Sequence, residues 1–569
     1  MSVRSRSHIV SDIDIKGKSE MILETVLRLE ASVHEIRNMM SSSPSSRTSD
    51  GLQDTLSSSA ASAGTSVSRY LRHHSGCAIS DPVPSGILCS GHLSSTESLI
   101  TWPVFTDIPS ISSEIEPQII SLEHRRPPFV CKDFSQRPYV NTSEIKDMIN
   151  LFQRTYNFWY PTMSLEVMKT LEIKLSSGNL EPSCQSCLAF LLMALGCVGS
   201  IVIQGANADD GECQQRKWMA DAWFDAAMKM LYLAHTEMTV EACQCLFLSG
   251  LYFSFLQRPL QTWSHANAAA TRCRFLLSSD IMETDEHERV IRIFWACFIL
   301  ESNYISELPT LPQNCISEIE SAASLPGLLN AHEDSSEEEK SIFFFLACIA
   351  MRRLLNRVHS MLYDRDTGLH LDFTRLPPVT KELERQLQDW RDALPITLQF
   401  SEDIGPENDP HMDYLRQWYS SCRSVIYRPY LAWALANPSS DLRNDPLVHR
   451  GCEQAINACL SKIINVRDLP HNFMVHAWTT SLSVATAMLT LLGVHCHPEL
   501  CEQFQGISLV DLASHLKHLL GRWIRIPAGS KSPGIEKALR LISKAYDIFE
   551  RDEASLTGSK LLHDLDEVS

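Results

Sequence analysis

Residues 285–312 read DEHERVIRIFWACFILESNYISELPTLP. From Val290 to Leu300 this stretch is apolar around most of a helical circumference, with Arg292 as its one charge. A helix that is hydrophobic on nearly every side belongs at the centre of a core rather than on its surface. Arg292 has Glu288 one turn earlier as a partner, at the spacing that brings two side chains together on one helix face. Glu301 emerges where the apolar run ends, and Glu307-Leu308-Pro309 leads into a turn. One central helix needs others around it, so the flanking sequence decides the rest.

Upstream, SEIKDMINLFQRTYNFWYP (143–161) opens with Ser143 as a candidate cap and a glutamate in the first turn. Ile145, Met148, Phe152, Tyr156 and Trp159 fall near one face before Pro161 stops the helix. Further helices are predicted at 184–205, 213–235, 238–257, 261–277, 285–307, 338–363, 378–392, 409–438, 448–466, 472–494, 508–525 and 533–550. Turns rich in Pro, Gly, Asn and Asp separate them, and the acidic run EDSSEEE (333–339) reads as a solvated loop. Strand-like alternation is scarce. A succession of long helices without a βαβ rhythm predicts an all-α fold, a large multi-helix domain over 141–550. Within it, YLRQWYSSCRSVIYRPYLAW (414–433) crowds aromatic residues beside Arg423 and Arg428, and Pro429 predicts a kink. Such a helix either borders a ligand cavity or serves core packing.

The first 140 residues differ in kind. Residues 1–18 read as a disordered tail. In SEMILETVLRLEASVHEIRNMM (19–40), Ile22, Val26, Leu29, Val33, Ile36 and Met40 recur at alternating spacings of four and three, the seam of a coiled coil. About three heptads are marginal alone, so this helix either pairs with a second chain or docks on the main domain. Residues 41–140 are Ser- and Pro-rich and poor in large apolar groups, which predicts a largely disordered linker with short docked pieces near Trp102 to Phe105. Residues 551–569 read as a flexible tail.

The formal net charge of -18 over 569 residues argues against a protein that coats nucleic acid, because phosphate contact needs a basic footprint. The N-terminal sequence has no apolar core of signal-peptide length, and no membrane association is expected. The 18 cysteines are diluted through apolar helical patterns, at Cys197, Cys245, Cys297 and Cys348 for example, which fits reduced thiols acting as small hydrophobes.

No catalytic framework is legible. Cys184-x-x-Cys187 lacks a second pair at zinc spacing and runs straight into an apolar helix. Cys243 and Cys245 point to different faces of a helix. His495, Cys496, His497 and Cys501 are the densest group of soft ligands, but adjacent positions at a helix end poorly suit tetrahedral coordination. GxxxxGK[ST], GxGxxG after a strand, G-x-S-x-G and HExxH are all missing. No catalytic, cofactor or metal residue is therefore assigned, and the chain is not expected to be an enzyme.

Taken together, these pieces resemble the fungal-specific transcription factor domain, the middle homology region of zinc-cluster regulators. The segment ERVIRIFWACFILESNYISELPTLPQNCI (288–316) is similar to the family's signature through Arg289, Arg292, Phe294, Trp295, Glu301 and Pro312. YNFWYP (156–161), LMALGCVGS (192–200), QTWSHANAAATRCRFL (261–276), LERQLQDWRDALP (383–395) and YRPYLAW (427–433), with Arg428 and Pro429, resemble further pieces in the expected order. Ser306-Glu307-Leu308-Pro309 departs from the Gly-Arg-Pro that many relatives carry.

The resemblance implies a nuclear regulator of RNA polymerase II transcription, whose helical domain receives effectors or partner proteins. Relatives bind two zinc ions through six cysteines in a separate N-terminal DNA-binding cluster. Here the first cysteine is Cys77, and Cys77, Cys89 and Cys131 are too scattered to replace that cluster, so no zinc ligand is carried over. The segment 19–40 resembles the dimerisation helix that follows the cluster in relatives. Two readings stay open: a start that omits an upstream cluster, with DNA binding restored, or an adaptor or inhibitor pairing with a full-length regulator. The implied partners are a second copy or a related regulator through 19–40, the transcriptional machinery, and a small-molecule effector. A helical enzyme acting on a natural product, in a pocket near Trp295 and Tyr427, is the competing class.

Overall fold

The computed structural model describes Leu88 and residues 91–566, apart from 133–139, 205–209, 279–281, 313–315, 317–319, 321–322, 328–335, 367, 370–371, 403–406, 408, 438–444, 467–474, 498, 505 and 526–530. The coiled-coil seam, Ile22, Val26, Leu29, Val33, Ile36 and Met40, lies outside the described residues. Among the described residues every regular element is helical, as the sequence predicts.

A strap of three short helices comes first: α1 (Thr96–Ile100), α2 (Pro109–Ser112) and α3 (Ile119–His124). The main body follows with α4 (Thr142–Arg154), α5 (Tyr156–Trp159), α6 (Leu165–Ser177), α7 (Cys184–Gln204), α8 (Asp210–Met228), α9 (Leu231–Thr236), α10 (Val240–Phe255), α11 (Pro259–Leu277) and α12 (Thr284–Ile305). Its second half comprises α13 (Ser336–Tyr363), α14 (Leu376–Asp392), α15 (Pro410–Ala436), α16 (Pro446–Asn465), α17 (Ala477–His495), α18 (Leu509–Arg525) and α19 (Pro533–Asp566). Most chain neighbours within the body pack on one another, and α13 joins the halves by touching α5 and α12 on one side and α14 and α15 on the other.

Local chemistry sets the helix starts. Asn141, rather than Ser143, caps α4: its side chain accepts from the Glu144 amide while the Glu144 carboxylate accepts from the Asn141 amide. The Asp-Pro pairs 409–410 and 445–446 begin α15 and α16, each aspartate capping and each proline taking the first helical position, where no N–H is needed. Glu337, Glu338 and Glu339, expected in a solvated loop, form the first turn of α13, where the positive end of the helix dipole favours them. Instead of ending in a tail at 551, α19 continues to Asp566.

Every residue of α12 from Val290 to Ile305 is buried, so the stretch that decides the fold is its centre. Helix α7 is equally apolar, and two of its glycines allow another helix to come close. A Cβ at Gly196 would collide with the carbonyl oxygen of Met148 on α4, and one at Gly199 would lie 2.7 Å from the Thr155 hydroxyl. Helices α7 and α17 are long and apolar enough to cross a membrane, but both lie mostly buried within the body. The cysteines anticipated as small hydrophobes, Cys197, Cys245, Cys297 and Cys348, are buried.

The strap is the main departure from the sequence reading, which placed residues 91–132 in a largely disordered linker with docked pieces only near Trp102 to Phe105. Leu99, Ile100, Phe105, Ile111 and Ile119 are buried against the body. Three hydrogen bonds fix the register: Gly91 N–H to Pro309 O (2.9 Å), Leu93 N–H to Tyr363 O (2.8 Å), and Thr96 Oγ1 with Thr486 Oγ1 (2.8 Å). Glu123 anchors the far end. Its Oε1 accepts from Trp478 Nε1 (3.0 Å), Ser532 Oγ (2.7 Å) and Gly534 N–H (3.0 Å), and its Oε2 from Arg126 (3.0 Å).

Candidate functional site

The signature residues on α12 serve the architecture. Arg292 is 1% exposed and joins three segments: Nε donates to Glu288 (3.1 Å), Nη1 to Pro161 O (3.2 Å) and Nη2 to Gly327 O (2.6 Å). Trp295 Nε1 donates to Ser324 O (2.8 Å), and the Arg353 guanidinium lies 5.8 Å from its ring centre. Phe294 and Glu301 are buried, Arg289 sits 3.9 Å from Glu286, and Pro312 is exposed. Burial disfavours charge in both members of the Arg292–Glu288 pair, pulling the arginine down and the glutamate up from their ordinary ranges.

A cavity of about 100 Å³ lies elsewhere, between the strap and helices α12, α13, α15, α16 and α17. It is not the pocket expected near Trp295 and Tyr427, for neither residue lines it. Helix α15 supplies one wall through Tyr414, Trp418, Ser421, Val425 and Arg428. That helix runs on through Pro429 to Ala436. Pro429 has no N–H for the Val425 carbonyl one turn back, and the Tyr363 hydroxyl donates to that carbonyl instead (2.6 Å). Arg428 Nη1 donates to Ser94 O (2.9 Å), which ties the wall to the strap. Arg423 faces away, 3.2 Å from Glu384 and 2.8 Å from Gln454.

The cavity floor is cationic. Arg352 donates from Nε to Asn356 (2.7 Å) and from Nη1 to Asn303 (3.1 Å), while its buried Nη2 has no protein partner among the described residues. Lys462 Nζ donates to Ser483 Oγ (2.5 Å). Burial lowers Arg352 to about 9 and Lys462 to about 8, the latter helped by Arg428. Glu307, the carboxylate on the lining, accepts from Thr96 N–H (3.2 Å) and Oγ1 (2.9 Å), and burial raises it above the usual carboxylate range.

Beside these lies a histidine pair. Ser94 Oγ sits 2.7 Å from His92 Nδ1 and 2.6 Å from His359 Nδ1, and His92 Nε2 sits 3.2 Å from Ile305 O. A carbonyl can only accept, so His92 carries its proton on Nε2 and its Nδ1 accepts from the serine; His359 then donates from Nδ1. Burial holds His92 at about 4 and pushes His359 well below its ordinary value, so both are neutral.

Sequence reasoning found α15 and Arg428 but missed Ser94, Arg352, Glu307 and Lys462 as site residues. They come from four distant stretches with no shared spacing. Among the described residues no group of three or more His, Cys, Asp or Glu side chains is placed to hold a metal ion. Cys187 donates to Ala227 O (3.4 Å), Cys245 to Cys184 O (3.3 Å), and His495 lies 3.0 Å from Asp552.

Among the described residues the fold is a helical body centred on α12, with a polar cavity beside the strap. Residues 149–392 match the fungal specific transcription factor domain, and the chain carries that domain there. The matched family is regulatory and non-catalytic. The chain is 24% identical over 439 residues to ecdB of Aspergillus rugulosus, named as a transcription factor, covering 72% of this chain and 74% of that protein. It is 25% identical over 316 residues to the nitrogen assimilation transcription factor nit-4 of Neurospora crassa, covering 50% of this chain and 28% of that protein. An ABC-transporter-regulating transcription factor of Aspergillus oryzae is 21% identical over 222 residues, 37% of this chain and 25% of that protein. The chain thus spans about a quarter of the length of the last two. No solved structure matches it.

Proposed function

We propose that this chain is a nuclear regulator of RNA polymerase II transcription of the zinc-cluster class, acting through its helical body. The observation that carries the reading is the fungal specific transcription factor domain at 149–392, supported by three relatives named as transcription factors. With a net charge of -18 over its 569 residues the chain as a whole is unsuited to DNA contact, so sequence recognition falls to a separate basic unit. That unit belongs either to the same polypeptide or to a related regulator with which this chain pairs through 19–40. The test is deletion of the gene with transcript profiling, alongside imaging of a fluorescent fusion. Nuclear signal and a defined set of altered transcripts are expected; a fusion excluded from nuclei with no transcript changed sinks the proposal.

The coding sequence just upstream separates the two arrangements. An in-frame basic segment with six cysteines restores direct DNA binding, whereas a stop codon without one favours the adaptor. Sedimentation of the chain with and without 19–40 tests pairing, and an unchanged mass removes it.

A further inference from the structure

Three buried cations converge on the cavity from three helices: Arg352 of α13, Arg428 of α15 and Lys462 of α16. Among the described residues none of them forms an ion pair within 4 Å, and the lining supplies one carboxylate, Glu307, already engaged by Thr96. Three positive charges against one negative charge leave this interior short of anions. Uncompensated buried charge is costly in a protein interior, and a bound counter-charge relieves that cost. Donor capacity is also left over. Arg352 Nη2 and Arg428 Nε have no protein partner among the described residues, and both are buried. Hydroxyls of Ser421, Thr479 and Thr480 add neutral donors on the same lining. Leu355, Val425, Trp418 and Tyr414 supply apolar and aromatic surface beside these charges. At roughly 10–15 Å³ of such space per water, about 100 Å³ suits a molecule of several heavy atoms.

We propose that the cavity binds a small organic acid, its carboxylate held by Arg352, Arg428 and Lys462 and its apolar part set against Trp418 and Tyr414. Arginine forks match a carboxylate in two-point geometry, and an aromatic wall favours a flat or aliphatic body over a bare inorganic ion. Arg428 also holds the strap through the Ser94 carbonyl, so a carboxylate that draws on Arg428 acts on the segment leading toward the N-terminus. That regulatory consequence rests on the transcription-regulator reading, whereas the binding does not.

The test uses the full chain with sodium benzoate as the probe, benzamide as its uncharged counterpart and sodium sulfate at matched ionic strength. Melting temperature and the fluorescence of Trp418, assigned with Trp418→Phe, report binding. Benzoate is expected to raise the melting temperature saturably and to change the fluorescence, with benzamide roughly tenfold weaker or worse. Lys462→Met and Arg352→Met should each weaken benzoate at least roughly tenfold. Lys462→Met without ligand should melt no lower than wild type, since it removes a buried charge that lacks a counter-ion. That variant keeps the test open if Arg352→Met does not fold. The proposal is overturned if benzoate gives no saturable response, if benzamide equals it, if Lys462→Met responds as wild type does, or if sulfate matches benzoate, which means an adventitious ion only. A wild-type chain that does not bind benzoate yet controls its transcripts normally refutes this site alone; intact binding without nuclear or transcript effect refutes the regulator reading alone.

Discussion

The Tyr363 hydroxyl donates to the Val425 carbonyl at 2.6 Å, and that carbonyl is the one Pro429 leaves without its helical N–H. A side chain from α13 therefore replaces a backbone donor inside α15. Tyr363→Phe leaves a buried acceptor unmet and should lower stability by about 1–3 kcal/mol in urea titrations. Pro429→Ala supplies the missing donor, so the cost of Tyr363→Phe should shrink in that background. Equal costs in the two backgrounds would show that the pair is not coupled.

Arg292 closes three contacts from one buried side chain, and Arg292→Met abandons Glu288 and the carbonyls of Pro161 and Gly327 together. Removing one partner of a buried pair costs about 3–5 kcal/mol, so this variant should be poorly folded by circular dichroism and calorimetry. Arg292→Lys keeps the charge but not the fork, and should fall between wild type and Arg292→Met.

Four histidines, three buried and His265 half-buried, are held in the neutral form: His92 and His265 near 4, His476 near 3, and His359 well below its ordinary value, in each case chiefly through desolvation. In the unfolded chain each takes a proton below about pH 6.5, so the unfolded state binds more protons and stability falls as pH drops from about 6.5 toward 4. At pH 5 each contributes about 2 kcal/mol of loss, together a large share of a typical 5–15 kcal/mol. Glu288, Glu307 and Glu384, raised by burial, act in the opposite sense nearer the carboxylate range. Melting temperature should fall steeply between pH 6.5 and 5. A flat profile across that window contradicts the assignment.

Gly196 admits α4 against α7, and Gly196→Ala places a methyl into the Met148 carbonyl. Backbone cannot rotate aside as a side chain does, so a loss of about 1–3 kcal/mol is expected in denaturant titrations. Gly521, with nothing within 4 Å of its Cβ position, is the control, and Gly521→Ala should be neutral or stabilising.

Most helices of the body were legible because they are long and periodic enough to signal themselves, whereas α6 was not predicted and the short α5 and α9 were merged into their neighbours. Predicted 184–205 and observed Cys184–Gln204 differ by one residue. Beyond the docked piece near Trp102 to Phe105 the strap was not legible, for a physical reason: α1, α2 and α3 are four to six residues long, too short for periodicity or propensity to show. Their order comes from seats on distant helices, and Glu123 meets its partners at Trp478, Ser532 and Gly534. The cavity was hidden for the same reason. Arg352 and Lys462 each look like an ordinary charge in a helix, and only the packing of α13, α15 and α16 turns them inward.

Glu123 also bears on how the gene is dissected. A fragment cut to the matched span, 149–392, or begun at the apparent domain start near 141, leaves behind the strap that fills seats for Phe105, Ile111 and Ile119. Such fragments lay bare apolar surface, and the one begun near 141 also keeps Trp478 without its Glu123 partner, so a loss of activity on truncation reports collapse rather than a missing activation or repression element. Deletion mapping gains meaning only when the first breakpoint lies upstream of Leu88.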